Sequence, residues 1–262
     1  MADPLENEPA EAPGGDSTTL TMIVPVYNEA ENIRNLLSEI ETRIAPPFQV
    51  LIVYDFDEDT TVPVIRASMA TRSWLRLVKN DLGRGVVNAL RAGFHAAQHG
   101  PALVVMADLS DDLGNVEPML ELYRQGYRVI CPSRYMRGGR QIGGPFVKRS
   151  LSRLAGVSLY WLGFPTHDAT NNYRLYDAEL VNQLKIESSG GFELALELTA
   201  KAFAAGAAVT EVPTTWRDRT AGESRFQLRK WLPKYLYWYL FAAKAALARR
   251  SSPKCDSQAK QT

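Results

Sequence analysis

The chain has 262 residues, 45% of them apolar and 23% charged, which excludes wholesale disorder and suits one large α/β domain or two small ones. With 30 Lys and Arg against 29 Asp and Glu the formal charge is +1, so a globally basic nucleic-acid binder is excluded and no nucleic-acid partner is expected. Two cysteines, Cys131 and Cys255, cannot build a disulfide scaffold and point to a reducing compartment, and no uncharged apolar run is long enough for a transmembrane helix.

Residues 1–18 are acidic, rich in Pro and Gly and poor in large apolar groups, and are expected to form a disordered tail. No Lys or Arg precedes Arg34, which argues against a secretory signal or an Arg-rich transit peptide. Leu20–Val26 reads as a strand. Asn28, with Glu31 three residues on, is expected to cap a helix whose apolar positions are Ile33, Leu36, Leu37 and Ile40. Val50–Tyr54 is the next strand, Val62–Ala70 a helix and Leu75–Val78 a strand. Gly83-Arg84-Gly85 opens a helix to about Ala97, and Ala102–Met106 is a fourth strand. This alternation with short connections predicts an α/β fold with a doubly wound, mostly parallel sheet. The second half is less regular. It holds a basic Gly-rich loop at 134–144, a helix at 146–162, a strand or turn after Asp168, a helix at 192–205, a strand at 209–212 and a charged loop at 217–224. A helix from Phe226, entered or kinked at Pro233, runs to 250, and 251–262 is expected to fray.

Acids collect after two strands: Asp55, Asp57, Glu58 and Asp59, then Asp108, Asp111 and Asp112. Ligands of open α/β sheets bind at the carboxyl ends of strands, and carboxylates there suit a hard dication with phosphate oxygens completing its shell. A dinucleotide fold would need G-x-G-x-x-G after the first strand, where Tyr27-Asn28-Glu29 stands instead. P-loop and nucleophile-elbow motifs are missing, and His95, His99 and His167 lack metal-binding spacing.

Val24-Pro25-Val26-Tyr27-Asn28-Glu29, followed by Asn32-Ile33, resembles the opening motif of family 2 glycosyltransferases. The resemblance continues through Asp55, Asp108 and Arg219-Thr220-Ala221-Gly222-Glu223-Ser224-Arg225, a stretch similar to the R-x-x-G-x-S-[KR] loop of the polyprenyl (dolichyl) phosphate mannosyltransferase group. It implies a GT-A fold in a single domain over 19–225, a nucleotide-sugar donor, a Mg²⁺ or Mn²⁺ ion and inversion at the anomeric carbon. By this resemblance Pro25, Tyr27, Glu29, Asp55, Ala107, Asp108, Arg219 and Arg225 bind the donor. Asp108 holds the metal with Ser110, Asp111 or Asp112, and Arg134, Lys148, Arg149 and Ser152 take the acceptor phosphate. Asp108, Asp168 and Arg219 are the catalytic candidates, with Asp168 either a base or a group that orients the acceptor. Two positions depart from the family pattern. Met106 stands where the first aspartate of D-x-D would be, and a thioether is a soft, poor ligand for Mg²⁺. Tyr54-Asp55-Phe56-Asp57 replaces the usual Asp-Asp-Gly-Ser, so the donor base is open.

The nucleophile decides whether a base is needed. A sugar hydroxyl requires one, whereas a phosphomonoester, with a second pKa of about 6, is already largely dianionic at neutral pH. The cations Arg134, Arg137, Arg140, Lys148, Arg149 and Arg153 favour a polyprenyl phosphate over a sugar hydroxyl or a non-catalytic nucleotide-sugar binder. From Arg225 to Lys254 there are eight basic residues, no acidic one, and a crowd of Trp and Tyr. The 226–250 helix is therefore expected to be amphipathic and to lie on a membrane surface. The expected enzyme is a hexosyltransferase, mannose its sugar, peripheral on the cytoplasmic membrane face and open to a membrane-anchored protein partner.

Overall fold

The computed structural model describes residues 19–191, 193–218 and 228–251. The expected tails, Phe192 and the Arg219–Arg225 loop, with both of its arginines, lie outside the described residues.

Strand β1 (Leu20–Pro25) is buried along its whole length and is an interior strand of a seven-stranded sheet. It lies between β2 (Phe48–Tyr54) and β4 (Pro101–Val104), with β3 (Leu75–Lys79) beyond β2. On the other side β4 pairs with β7 (Arg174–Asp177), followed by β5 (Val129–Ser133) and β8 (Val209–Pro213). All ladders are parallel except those that β7 makes with β4 and β5. Strands buried on both faces read as continuous apolar runs, which is why LTMIVP and VLIVY were legible.

Successive side chains serve opposite layers. Met22, Val24, Val50 and Ile52 face a core shared with helix α1 (Ala30–Arg43), helix α2 (Thr61–Met69), the 3₁₀ turn Leu113–Asn115 and helix α4 (Val116–Arg124). Ile23, Leu51 and Val53 face helix α3 (Val86–Ala97), helix α6 (Ala178–Gln183) and helix α7 (Leu194–Ala204). A third cluster binds α7 to helix α5 (Phe146–Trp161) and helix α8 (Leu228–Ser251), through Leu159, Phe164, Leu196, Trp238 and Ala242. Strand β6 (Arg140–Ile142), inside the Gly-rich stretch 134–144, pairs in parallel with β9 (Thr215–Arg217) as a two-stranded ribbon.

The doubly wound, mostly parallel expectation is met. Local details differ. Asn28 does not cap α1: its φ is +57°, Glu29 is the cap residue, and no side chain bonds to the helix start. The Asn28 N–H instead donates to Asp59 Oδ2 (2.9 Å), and its amide oxygen accepts from Thr60 N (3.1 Å). The fourth strand ends at Val104, two residues short of the expected Met106, so Met106-Ala107-Asp108 lies beyond the ladder. Pro233 stands inside α8. Among the described residues no helix is long and apolar enough to cross a membrane. Cys131 is a free, buried thiol, and burial pushes its pKa up to about 11.

Candidate active site

The carboxyl ends of β2, β1 and β4, adjacent in the sheet, bring together Asp55, Pro25 and the turn after Val104. Tyr27 is 45% exposed, with Phe56 edge-on at 5.5 Å, and the Arg84 guanidinium lies 4.8 Å over the Phe56 ring. Glu29 is anchored by its N–H to Thr61 Oγ1 (2.9 Å) and accepts from Asn32 Nδ2 (2.8 Å). Asp55 joins three elements: Oδ1 accepts from Asn80 Nδ2 (2.7 Å), Oδ2 from Gly85 N (2.8 Å) at the start of α3. Gly85 has φ +127°, a conformation that disfavours any side chain.

Asp57 and Asp59 of the first acidic set are engaged within the fold. Asp59 is fully buried and accepts from Asn28 N and Thr61 N (2.8 Å). Asp57 pairs with Lys79 at 2.6 Å, and that hydrogen bond lowers its pKa.

The second set folds on itself. Leu109 has φ +59° and reverses the chain. Asp108 Oδ1 accepts from Ser110 N (3.2 Å), and buried Ala107 holds the turn against the core. Asp111, 9% exposed, returns to accept from Met106 N through Oδ2 (3.1 Å). Burial, then the charge of Asp108, pushes the Asp111 carboxyl up to about 8. Asp112 turns away: its Oδ1 accepts from Gly114 N (3.0 Å) and caps the 3₁₀ turn. Of the expected metal set, Asp108 and Ser110 are brought together and Asp112 is not. Among the described residues no three His, Cys, Asp or Glu side chains converge as a metal cage. The donors present are hard oxygens, and they fit an octahedral dication that keeps water and phosphate in its shell.

Asp168 is fully buried and clasped by Arg134 through Nε to Oδ2 (2.6 Å), Nη2 to Oδ1 (2.9 Å) and its backbone N–H (3.1 Å). Burial works to raise the Asp168 pKa, but the Arg134 charge and hydrogen bonds hold it below the usual carboxylate range. Both carboxylate oxygens are thus engaged by the Arg134 guanidinium. Arg134 Nη2 also reaches Thr170 Oγ1 (3.1 Å) and Ser152 Oγ (3.4 Å), and Tyr135 OH donates to Ser152 Oγ (3.0 Å). From behind, buried Arg174 donates to the Asp168 carbonyl (2.7 Å).

Beside this clasp lies a cavity of about 440 Å³ lined by Arg134, Arg140, Arg149, Arg153, Tyr135 and Phe146, among others. Arg149 lies 5.6 Å over the Phe146 ring. Arg134 and Arg149 both line this cavity. Ser152 supports Arg134 rather than lining the cavity, and Lys148 does not line it. Helix α5 is seated by Gly156, where a Cβ would stand 2.0 Å from the His167 carbonyl oxygen. Tyr160 stacks on His167 at 3.5 Å, and His167 Nδ1 meets Glu211 Oε1 at 2.5 Å. Helix α8 is tied to the segment before α7 through Lys234 Nζ, which donates to Ser189 Oγ (2.6 Å). Thr170, Tyr135 and Glu211 escaped the sequence reading; the basic run 134–153 and Asp168 gave the signal for this side.

Similar proteins frame the site. A Mycolicibacterium smegmatis protein named polyprenol monophosphomannose synthase is 28% identical over 78% of this chain and 79% of its own. One from Micrococcus luteus, named undecaprenyl-phosphate mannosyltransferase, is 30% identical over 78% and 85%. A Pyrococcus furiosus dolichol-phosphate mannosyltransferase is 24% identical over 79% of this chain, which spans only 59% of it. Among solved structures, a glucosyl-3-phosphoglycerate synthase from Mycobacterium tuberculosis, in complex with Mn²⁺, uridine diphosphate and phosphoglyceric acid, superposes with TM-score 0.57 at 16% identity, covering 90% of this chain and 80% of that one. It shares the fold. Residues 21–184 match the family described as Glycosyl transferase family 2, and the chain belongs to that family.

Proposed function

We propose that this glycosyltransferase moves a hexose, mannose, from a nucleotide sugar to a polyprenyl phosphate at the cytosolic face of a membrane, with inversion. The observation that carries the reading is the arginine-lined cavity beside the Arg134–Asp168 clasp. Asp168 already balances Arg134, so Arg140, Arg149 and Arg153 leave net positive charge for a phosphate dianion, and guanidinium forks match its oxygens. A phosphate nucleophile needs orientation, not proton removal, which agrees with a carboxylate committed to an ion pair.

On the donor side, Pro25, Tyr27, Glu29 and Asp55 form the nucleotide end, with Tyr27, Phe56 and Arg84 as a stacking surface for the base. Asp108 and Ser110 face the diphosphate. A dication bound there would offset the charge that grows on the leaving diphosphate. Arg219 and Arg225 would add positive charge from the following loop.

The lipid side is supported by two adjoining helices. Exposed Phe146, Leu154 and Trp161 on α5 and Leu236, Tyr237 and Leu240 on α8 give an apolar surface accompanied by Lys148, Arg149 and Arg153. Aromatic and basic residues together favour the headgroup level of an anionic membrane. A protein partner anchored in the bilayer would add to that hold.

The test supplies purified protein with labelled GDP-mannose, UDP-glucose and other nucleotide sugars, with and without polyprenyl phosphate. An organic-soluble, mild-acid-labile product formed only with the lipid phosphate is the expected result. Transfer to a sugar hydroxyl instead, or donor binding with no transfer, would overturn the reading.

A further inference from the structure

Helix α5 carries two of the arginines that line the cavity, Arg149 and Arg153, yet it buries little of itself: Gly156 and Leu159 are its buried residues. Core packing alone is a thin hold on where those guanidiniums stand. Ser152, Gly156 and Tyr160, four residues apart, form a stripe along the helix beside Arg149 and Arg153. All three meet the chain between Asp168 and its flanks. Ser152 Oγ lies 3.4 Å from Arg134 Nη2 and also bonds to Thr170 Oγ1. Gly156 leaves room for the His167 carbonyl oxygen, and the Tyr160 ring stacks on the His167 imidazole at 3.5 Å with the planes 21° apart.

The same stretch is held from β8. Glu211 Oε2 accepts from His167 N (2.8 Å) and Thr166 Oγ1 (3.1 Å), and Oε1 meets His167 Nδ1 at 2.5 Å. Thr166 Oγ1 accepts in turn from Asp168 N (3.0 Å). Glu211 pairs in register with Cys131 of β5, the strand whose last residue, Ser133, precedes Arg134. Both partners of the clasp are thus referred to the β5–β8 pair, Arg134 by the chain and Asp168 through Glu211. His167 joins this frame to the helix: its Nδ1 is on Glu211 and its ring face on Tyr160. The His167 side chain is 23% exposed and that of Glu211 11%, so water competes little for the contact.

We propose that His167 is a positioning residue for the acceptor phosphate: held by Glu211 and stacked on Tyr160, its ring sets where α5 lies and so how Arg149 and Arg153 face Arg134 across the cavity. The inference rests on the reading of that cavity as the acceptor-phosphate site. A guanidinium gains from a phosphate oxygen only in hydrogen-bond geometry, so a helix displaced by about 1 Å loses affinity without losing a charge.

The probe is octyl phosphate, a phosphomonoester on a single chain. Its binding to the purified full chain is measured by titration calorimetry, with thermal unfolding and GDP and UDP binding alongside. His167→Ala is expected to weaken octyl phosphate binding about fivefold or more and to leave nucleotide binding as in the parent. In a chain that already carries Arg149→Ala, the same change is expected to add clearly less, because one of the groups it positions is gone. A folded His167→Ala chain that binds octyl phosphate like the parent overturns the proposal, and so does a full additional loss on top of Arg149→Ala. Failure of the underlying reading shows differently: Arg149→Ala then binds octyl phosphate as the parent does, which removes the site and this inference with it. Should His167→Ala not fold, Tyr160→Ala removes the stack from an exposed position instead. It is expected to weaken octyl phosphate binding in the same way, and parent-like binding overturns the proposal.

Discussion

Arg134 and Asp168 form a two-point ion pair across 34 residues of chain, with the carboxylate fully buried and the guanidinium side chain 11% exposed. Burying both charges is tolerable because each is met by the other and by hydrogen bonds from neighbours. Removing one partner strands the other. Asp168→Ala is expected to lower unfolding free energy by about 3–5 kcal/mol, measured by urea denaturation. An Arg134→Met/Asp168→Leu double variant should lose clearly less than the two single changes added together.

The same pair sets a pH dependence. The Asp168 pKa is lower in the folded chain than its ordinary value of 3.8. Its stabilising contribution is therefore present above that ordinary value and is lost as pH falls below it, through the folded pKa. The stability difference between the parent and Asp168→Asn should be constant from neutral pH down to about 5 and shrink below about 4. Equal slopes for parent and variant across that acidic range would refute the ion pair as its source.

Arg149 and Arg153 line the cavity without serving the clasp. Arg149→Ala should raise KM for polyprenyl phosphate by about tenfold or more, since a charged hydrogen bond contributes roughly 1.5–3 kcal/mol. KM for the nucleotide sugar should stay unchanged. A shift confined to the donor would place the phosphate elsewhere.

Gly156→Ala tests how α5 is seated. The added methyl would meet the His167 backbone carbonyl, which has no flexible end to swing aside. Overpacking of this kind costs about 1–3 kcal/mol, and the helix moves before the loop does. Ser152 rides on the same helix, so loss of acceptor turnover should exceed what the fall in thermal stability explains.

Leu236 and Leu240 are each more than half exposed on the outer face of α8. Leu236→Asp/Leu240→Asp should abolish co-sedimentation with vesicles containing anionic lipid, while leaving circular dichroism and nucleotide binding as in the parent. Vesicle binding equal to the parent's would remove α8 as the contact surface.

The central strands were legible because burial on both faces leaves long apolar runs, and α1 because Ile33, Leu36, Leu37 and Ile40 keep helical spacing. Strand β5 was not: Cys131 and Pro132 interrupt the β-branched signal, and its pairing with β7 and β8 is set by distant chain. Asn28 read as a cap, but Asp59, 31 residues on, takes its N–H and draws it out of that role. In the same way local pattern placed acids beside the cleft without ranking them. Which of Asp108, Asp111 and Asp112 faces inward depends on Leu109 adopting a left-handed φ, and nothing in a leucine announces that. Asp168 looked available in the sequence because Arg134 is remote in it.

The β6–β9 ribbon joins the arginine cavity to the turn after β4. β9 is laced to β6 on the rim of the arginine cavity, Asp218 N donates to the Ile142 carbonyl, and Arg217 N donates to the Ser110 carbonyl. The polypeptide that leads on to Arg219 therefore departs from a point fastened to both halves of the cleft. A change in the three paired residues of β6 would therefore reach the turn after β4 through backbone hydrogen bonds alone, without passing through any side chain of the cavity.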